Sequence, residues 1–190
     1  IQVLANLFQQ YNVLDIIVSP GSRNAPLAIH FSEIDAFNCY SIVDERSAAF
    51  VGLGMAKSEK KPVAITCTSG SAAANYYPAI TEAFYANIPM LIVTADRPTD
   101  FVDIFDGQTI RQNNLFHQHS YGDFQLLEDS KESSEETNSS IIKKAIELCI
   151  EKQGPVHINI PLEEPLYDLV SELPTFPEVE KTIKIKDFEI

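Results

Sequence analysis

At 190 residues, 45% hydrophobic and 22% charged, the chain has the proportions of a globular protein with one core. Its net charge of −13 argues against nucleic acid and anionic membrane surfaces as partners, and no apolar run approaches the roughly 20 residues of a bilayer span. Cys39, Cys67 and Cys149 lack the paired spacings of a disulfide framework or a metal cluster. With no basic-then-apolar signal segment at the start, reduced thiols in a cytoplasmic protein are the simplest expectation.

The chain opens at Ile1 inside a helical pattern over 2–11, so a natural N-terminus lying upstream is expected. A strand over Asp15–Ser19 then leads through Ser19-Pro20-Gly21-Ser22-Arg23 into a helix over 24–33. The second strand, Cys39–Val43, runs into Asp44-Glu45-Arg46 and a helix over 46–58. The third, Val63–Cys67, runs into Thr68-Ser69-Gly70-Ser71 and a helix over 71–86. The fourth, Met90–Thr94, runs into Ala95-Asp96-Arg97-Pro98. Further strands are expected over Phe124–Leu127 and Val156–Ile160, with a helix over 139–152 between them. The acidic run Glu128–Asn138 reads as a solvated loop. From Pro161 onward, four prolines and then three lysines suggest a linker or wrapping tail.

Alternating strands and helices imply right-handed crossovers, hence an α/β fold with a parallel, doubly wound sheet of about six strands and helices on both faces. The expected division is one domain over 1–165 and a linker or tail over 166–190. Strands that read as continuous apolar runs are expected to be buried on both faces.

Ligands of such sheets bind outside the carboxyl ends of the strands. All four arginines, Arg23, Arg46, Arg97 and Arg111, fall in or just after loops at that edge, whereas the ten lysines lie elsewhere. A guanidinium presents a rigid fork that matches carboxylate or phosphate. Local pairing with Asp44, Asp96 or Asp103 is the alternative, with Arg46 the member most suited to a purely structural role. Gly21 permits a positive φ, and Ser22 suits an N-cap. Arg23, at the positive end of a helix, calls for a nearby anion, whether a ligand or an acid of the chain.

Glu45 is compatible with ordinary first-turn helix chemistry or with a functional acid. The small residues Ser69–Ala74 fit either close helix–sheet packing or the approach of a flat ring. His117 and His119 lack a third ligand at metal spacing. His157 suits the core, and His30 the outer face of a helix.

Taken together, SPGSRNAPLA (19–28), DERSAAFVGLGMAK (44–57), CTSGSAAANYYPAITEA (67–83), TADRP (94–98), GQTIRQ (107–112) and GPVHINIPLEEPL (154–166) resemble the N-terminal, pyrimidine-binding domain of thiamine-diphosphate enzymes. The SPGSR and TADRP pair resembles the synthases of menaquinone biosynthesis within that superfamily. The resemblance implies decarboxylation of 2-oxoglutarate on the cofactor and addition of the resulting succinyl-semialdehyde carbanion to isochorismate.

Glu45 matches the glutamate that hydrogen-bonds the aminopyrimidine ring nitrogen, so that the exocyclic amine can remove the thiazolium C2 proton. A carboxylate in that role is expected to be buried. Pro20, Ser69, Gly70 and Asn75 fall with Glu45 among the cofactor-binding positions. Ser22, Arg23, Arg97 and Gln108 match substrate-binding positions, and both substrates carry carboxylates. Gly107 departs from the polar Asn of some relatives.

The Gly-Asp-Gly motif that binds Mg²⁺ and the cofactor diphosphate in the superfamily has no counterpart, since Gly122-Asp123 is followed by Phe124. No metal ligand is therefore assigned to this chain. The chain is expected to supply half a site, completed by the diphosphate-binding domain of a second subunit in a homodimer or homotetramer, and to be inactive alone. A related 2-oxoacid enzyme of the acetolactate-synthase kind, or a non-catalytic assembly domain, are the alternatives.

Overall fold

The computed structural model describes residues 1–128, 134–167 and 177–181. Six short strands form one sheet: β1 (Asp15–Val18), β2 (Asn38–Ser41), β3 (Val63–Cys67), β4 (Met90–Asp96), β5 (Asp123–Gln125) and β6 (Val156–Pro161); the four inner strands carry the β-branched residues, and the edge strands β2 and β5 carry none. The order is β2-β1-β3-β4-β6-β5, and every neighbouring pair is parallel. From β1 the chain steps to β2 on one side and β3 on the other. The crevice between the β1 and β3 loops is therefore the topological switch point, where such sheets bind ligands.

Helices cover both faces. Helices α1 (Gln2–Gln10), α2 (Ala25–Ser32) and α6 (Ser134–Lys152) enclose one core with Ile16, Leu91, Val93, Val156 and Ile158. Helices α3 (Glu45–Glu59), α4 (Ser71–Asn75) and α5 (Tyr77–Ala86) enclose the other with Ile17, Ile65, Met90 and Ile92. The period-2 alternation of strand side chains divides β4 between the two cores. Small residues bring α3 close to the sheet: a Cβ on Gly52 would lie 2.7 Å from Ile65 Cγ2.

Several expectations are corrected. The helix expected over 71–86 is two helices, because Pro78 in the first turn of α5 lacks the N–H a continuous helix needs and its ring crowds the preceding turn. The last helix begins at Ser134, not 139, with Glu135 and Glu136 in the first turn, where the helix dipole favours acids. Asn138, expected in the loop, is buried; its side chain accepts from Leu127 N and donates to Leu127 O at 2.8 and 2.9 Å. Residues 129–133 of that acidic run lie outside the described residues.

Not every strand is doubly buried. β2 is exposed along its length and β5 half-buried, because both are sheet edges. Most of the expected tail over 166–190 lies outside the described residues. Within it, Val179 N donates to Gln10 Oε1 at 2.8 Å, and Gln10 Nε2 donates to Pro177 O at 3.1 Å, so 177–179 lie against α1. No helix among the described residues is long and apolar enough to cross a membrane.

Candidate functional site

The loops after β1, β2, β3 and β4 meet at the carboxyl edge. Gly21 is needed there for a reason other than a positive φ: a Cβ would lie 2.5 Å from Thr68 Cβ, so only glycine lets the β1 loop lie against the β3 loop. Arg23 N completes this contact by donating to Thr68 Oγ1 at 3.2 Å. Ser22 is exposed and does not cap α2, whose N-cap is Asn24. Asn24 is buried instead, and its side chain donates to Ser19 O at 3.0 Å.

Arg23 is buried, and its fork faces the segment after β6. Nη1 donates to Leu162 O and Nη2 to Glu164 Oε1, both at 3.0 Å. Glu164 is mostly solvent-exposed, which makes it a replaceable partner. Arg97 is half-buried, with Nη1 3.1 Å from Asp106 Oδ2 but without hydrogen-bond alignment. Its Nε is buried without an acceptor among the described residues.

Gly107 has φ +46, and a Cβ there would lie 2.6 Å from Arg97 Nη2. Glycine thus makes room for the guanidinium. Arg111 pairs with Asp103 on the surface at 2.8 Å, and Arg46 is exposed beside Asp44.

Glu45 opens α3, one residue after the N-cap Asp44, whose side chain accepts from Ser47 N at 2.7 Å. That bond holds the Asp44 carboxyl below its ordinary value. Asp44 therefore does the capping that Glu45 was free to do. The Glu45 side chain makes no hydrogen bond or ion pair among the described residues, and the residue is half-buried rather than buried. Its charge is felt by two buried groups, the Cys67 thiol and the Tyr76 hydroxyl, which donates to Ser19 Oγ at 3.3 Å. Burial pushes both groups well up, and Glu45 adds to the shift.

Ser69 and Gly70 are buried, and the β3 loop is clamped from two sides. On the solvent side, Ser69 Oγ donates to Gln108 O at 3.0 Å and the exposed Gln108 returns Nε2 to Ser69 O at 2.7 Å. On the interior side, Gly70 N donates to Gln112 Oε1 at 2.7 Å. Pro20 and Asn75 are exposed, and Asn75 bonds back to Ser71 O. Ser69, Gly70 and Gln108 are thus held together, Arg97 lies against the neighbouring Gly107, and Arg23 turns toward β6.

Sequence reasoning missed the polar layer beneath this edge. Thr94 and Asp96 of β4 lie on the face opposite Leu91, Val93 and Ala95; His157 and Asn159 of β6 lie opposite Val156, Ile158 and Ile160. Thr94 Oγ1 donates to Asn159 Oδ1 at 2.7 Å and lies 2.7 Å from His157 Nε2, while His157 Nδ1 is 2.7 Å from Asp123 Oδ1. Asn159 Nδ2 donates to Asp96 Oδ2 at 2.8 Å, and Asp96 Oδ1 accepts from Arg97 N at 2.8 Å. Burial raises the Asp96 carboxyl despite these bonds, with Arg23 among the charges that oppose the shift. The available signal was the alternation itself: T-A-D ending β4 and H-I-N within β6 place polar side chains on one face.

The family described as thiamine pyrophosphate enzyme, N-terminal TPP binding domain, matches residues 1–123. The chain is 52% identical over 178 residues to the 2-succinyl-5-enolpyruvyl-6-hydroxy-3-cyclohexene-1-carboxylate synthase of Flavobacterium johnsoniae, covering 94% of this chain and 31% of that protein. It is 55% identical over 158 residues to the synthase of the same name from Flavobacterium psychrophilum, covering 83% and 28%. The fold is similar to that of benzoylformate decarboxylase from Polynucleobacter necessarius, with a TM-score of 0.76 at 18% identity, over 97% of this chain and 33% of that one. The chain thus spans about a third of the length of these relatives. By fold and by sequence, it belongs to the family of N-terminal TPP-binding domains of thiamine pyrophosphate enzymes.

Proposed function

We propose that this chain is the pyrimidine-facing half of the active site of a 2-succinyl-5-enolpyruvyl-6-hydroxy-3-cyclohexene-1-carboxylate synthase. That enzyme joins the decarboxylated four-carbon unit of 2-oxoglutarate to isochorismate in menaquinone biosynthesis. The observation that supports this reading is a pair of groups on one sheet edge that find no partner among the described residues: the Glu45 carboxylate, and the buried Arg97 Nε. The first suits a ring nitrogen that carries a proton, and the second suits a substrate carboxylate.

Bound thiamine diphosphate supplies the electron sink that lets a 2-oxoacid lose carbon dioxide. Glu45 would hold the proton at the pyrimidine ring nitrogen, with Pro20, Ser69, Gly70 and Asn75 lining that side. Arg97, Arg23, Ser22 and Gln108 would bind and orient the two acidic substrates; Arg23 does so once Glu164 yields its place. Among the described residues no group of three His, Cys, Asp or Glu side chains could hold a metal ion. We assign the diphosphate and Mg²⁺ to a domain outside this chain, contributed by a second subunit of a homodimer or homotetramer, because the Gly-Asp-Gly motif that binds them in the superfamily has no counterpart in this sequence. The half-exposure of Glu45 fits a site that such a partner covers.

The test is made in the full-length enzyme. Wild type should consume 2-oxoglutarate and isochorismate together. Glu45→Gln, which keeps size but removes the ionisable group, should slow exchange of the cofactor C2 proton by about a hundredfold or more while folding is retained. Unchanged exchange, followed by proton NMR, would leave Glu45 as a first-turn acid only.

A further inference from the structure

Gln112 sits beneath the site, almost fully buried, and every polar atom of its amide is used. Oε1 accepts from Gly70 N at 2.7 Å; Nε2 donates to Ala95 O at 3.1 Å and to Asn159 Oδ1 at 2.9 Å. The amide orientation is forced by its neighbours, because a backbone N–H can only donate and a carbonyl can only accept. No other side chain of this length offers one acceptor and two donors: a carboxylate would face two acceptor oxygens, and an ammonium would face the Gly70 N–H.

The three contacts lie on three different elements. Gly70 has φ +85 and ψ −142, a conformation open only to glycine, in the loop after β3. Ala95 is the residue before Asp96 and Arg97 at the end of β4. Asn159 belongs to β6 and passes the connection on to Asp96, which in turn accepts from Arg97 N. Gln112 is thus the junction between the loop assigned to the cofactor ring and the strand end that carries the substrate arginine. It reaches from below the loop that Gln108, four residues earlier, clamps from above.

We propose that Gln112 is a positioning residue that holds the Gly70 loop and the Arg97 strand end at one fixed separation, and so sets the distance between bound cofactor and bound substrate carboxylate. The inference rests on the functional reading above. Misplacement of reacting groups by about 1 Å costs on the order of a hundredfold in rate, so the effect belongs in kcat and not in substrate affinity alone.

The experiment uses the full-length enzyme with Gln112→Met, which keeps volume and removes all three bonds, and Gln112→Glu, which keeps the acceptor for Gly70 N and loses both donors. Backbone hydrogen exchange by mass spectrometry over the peptide containing Gly70 is measured beside kcat and KM for 2-oxoglutarate, per folded enzyme. Gln112→Met should lose protection at Gly70 and about a hundredfold in kcat. Gln112→Glu should retain the protection and fall between it and wild type; if Gln112→Met fails to fold, Gln112→Glu alone must still show a lowered kcat. A purely structural role would lower thermal stability and leave kcat per folded enzyme unchanged, and that result overturns the inference. Wild type inert toward 2-oxoglutarate would instead overturn the functional reading, and the positioning role with it.

Discussion

Arg97 and Arg23 show how one residue type serves two arrangements on the same edge. Arg97 keeps one donor buried without an acceptor among the described residues, a state that costs about 1–3 kcal/mol unless a ligand relieves it. It also precedes Pro98, which biases its backbone to the extended conformation of a strand end and so fixes the side-chain direction. Arg97→Lys keeps the charge but loses the fork. In the full-length enzyme it should cost about 1.5–3 kcal/mol, or roughly ten- to a hundredfold in kcat/KM for one carboxylate substrate. Arg23→Lys should behave similarly, since an ammonium cannot serve Leu162 O and an anion with the same planar fork. Wild-type kcat/KM for both substrates in both variants would reduce these arginines to partners of Asp106 and Glu164.

At the scale of the element, the glycines separate tight sites from open ones. A Cβ at Gly70 would lie 2.5 Å from Gln108 Cγ and 2.9 Å from Gln108 O, in a backbone conformation that L-residues avoid. Gly70→Ala should therefore destabilise by about 1–3 kcal/mol, a drop of several degrees in Tm for a chain of this size. Gly54 is the control: it lies in the interior of α3, where a Cβ would meet nothing within 4 Å among the described residues, so Gly54→Ala should stabilise by about 0.4–1 kcal/mol. Equal Tm values for the two variants would show that the Gly70 loop relaxes freely. The α4–α5 break belongs to the same scale. It was legible in Pro78, but the apolar run on both sides of it read as one helix.

For the whole molecule, the two cores build a complete sheet, yet the candidate site is open on the side where Glu45 stands half-exposed. Titration calorimetry of the 190-residue chain with thiamine diphosphate and Mg²⁺ should give no measurable heat of binding, because the Gly-Asp-Gly motif that holds diphosphate and metal in the superfamily has no counterpart in its sequence. Tight, Mg²⁺-dependent binding would place those ligands on this chain and overturn the half-site reading.

What the sequence by itself determined is what local chemistry and periodicity encode. β-branched runs specify the four inner strands, strand–helix alternation punctuated by Gly, Pro and capping residues supplies the parallel connections, and parallel pairing then brings the loops of Arg23, Glu45, Gly70 and Arg97 to one edge. Three things were decided only by tertiary structure. Gly21 serves close approach to Thr68, 47 positions away in sequence, because the clash depends on strand order and not on the local backbone. Ser22 does not cap α2, because Arg23 N turns to Thr68 and the helix starts at Ala25. The polar layer of Thr94, Asp96, Gln112, His157 and Asn159 exists because β4 and β6 pair in a register that sets Thr94 opposite Asn159. A hydrogen bond needs its partner within about 3 Å, and only the folded register brings these partners that close.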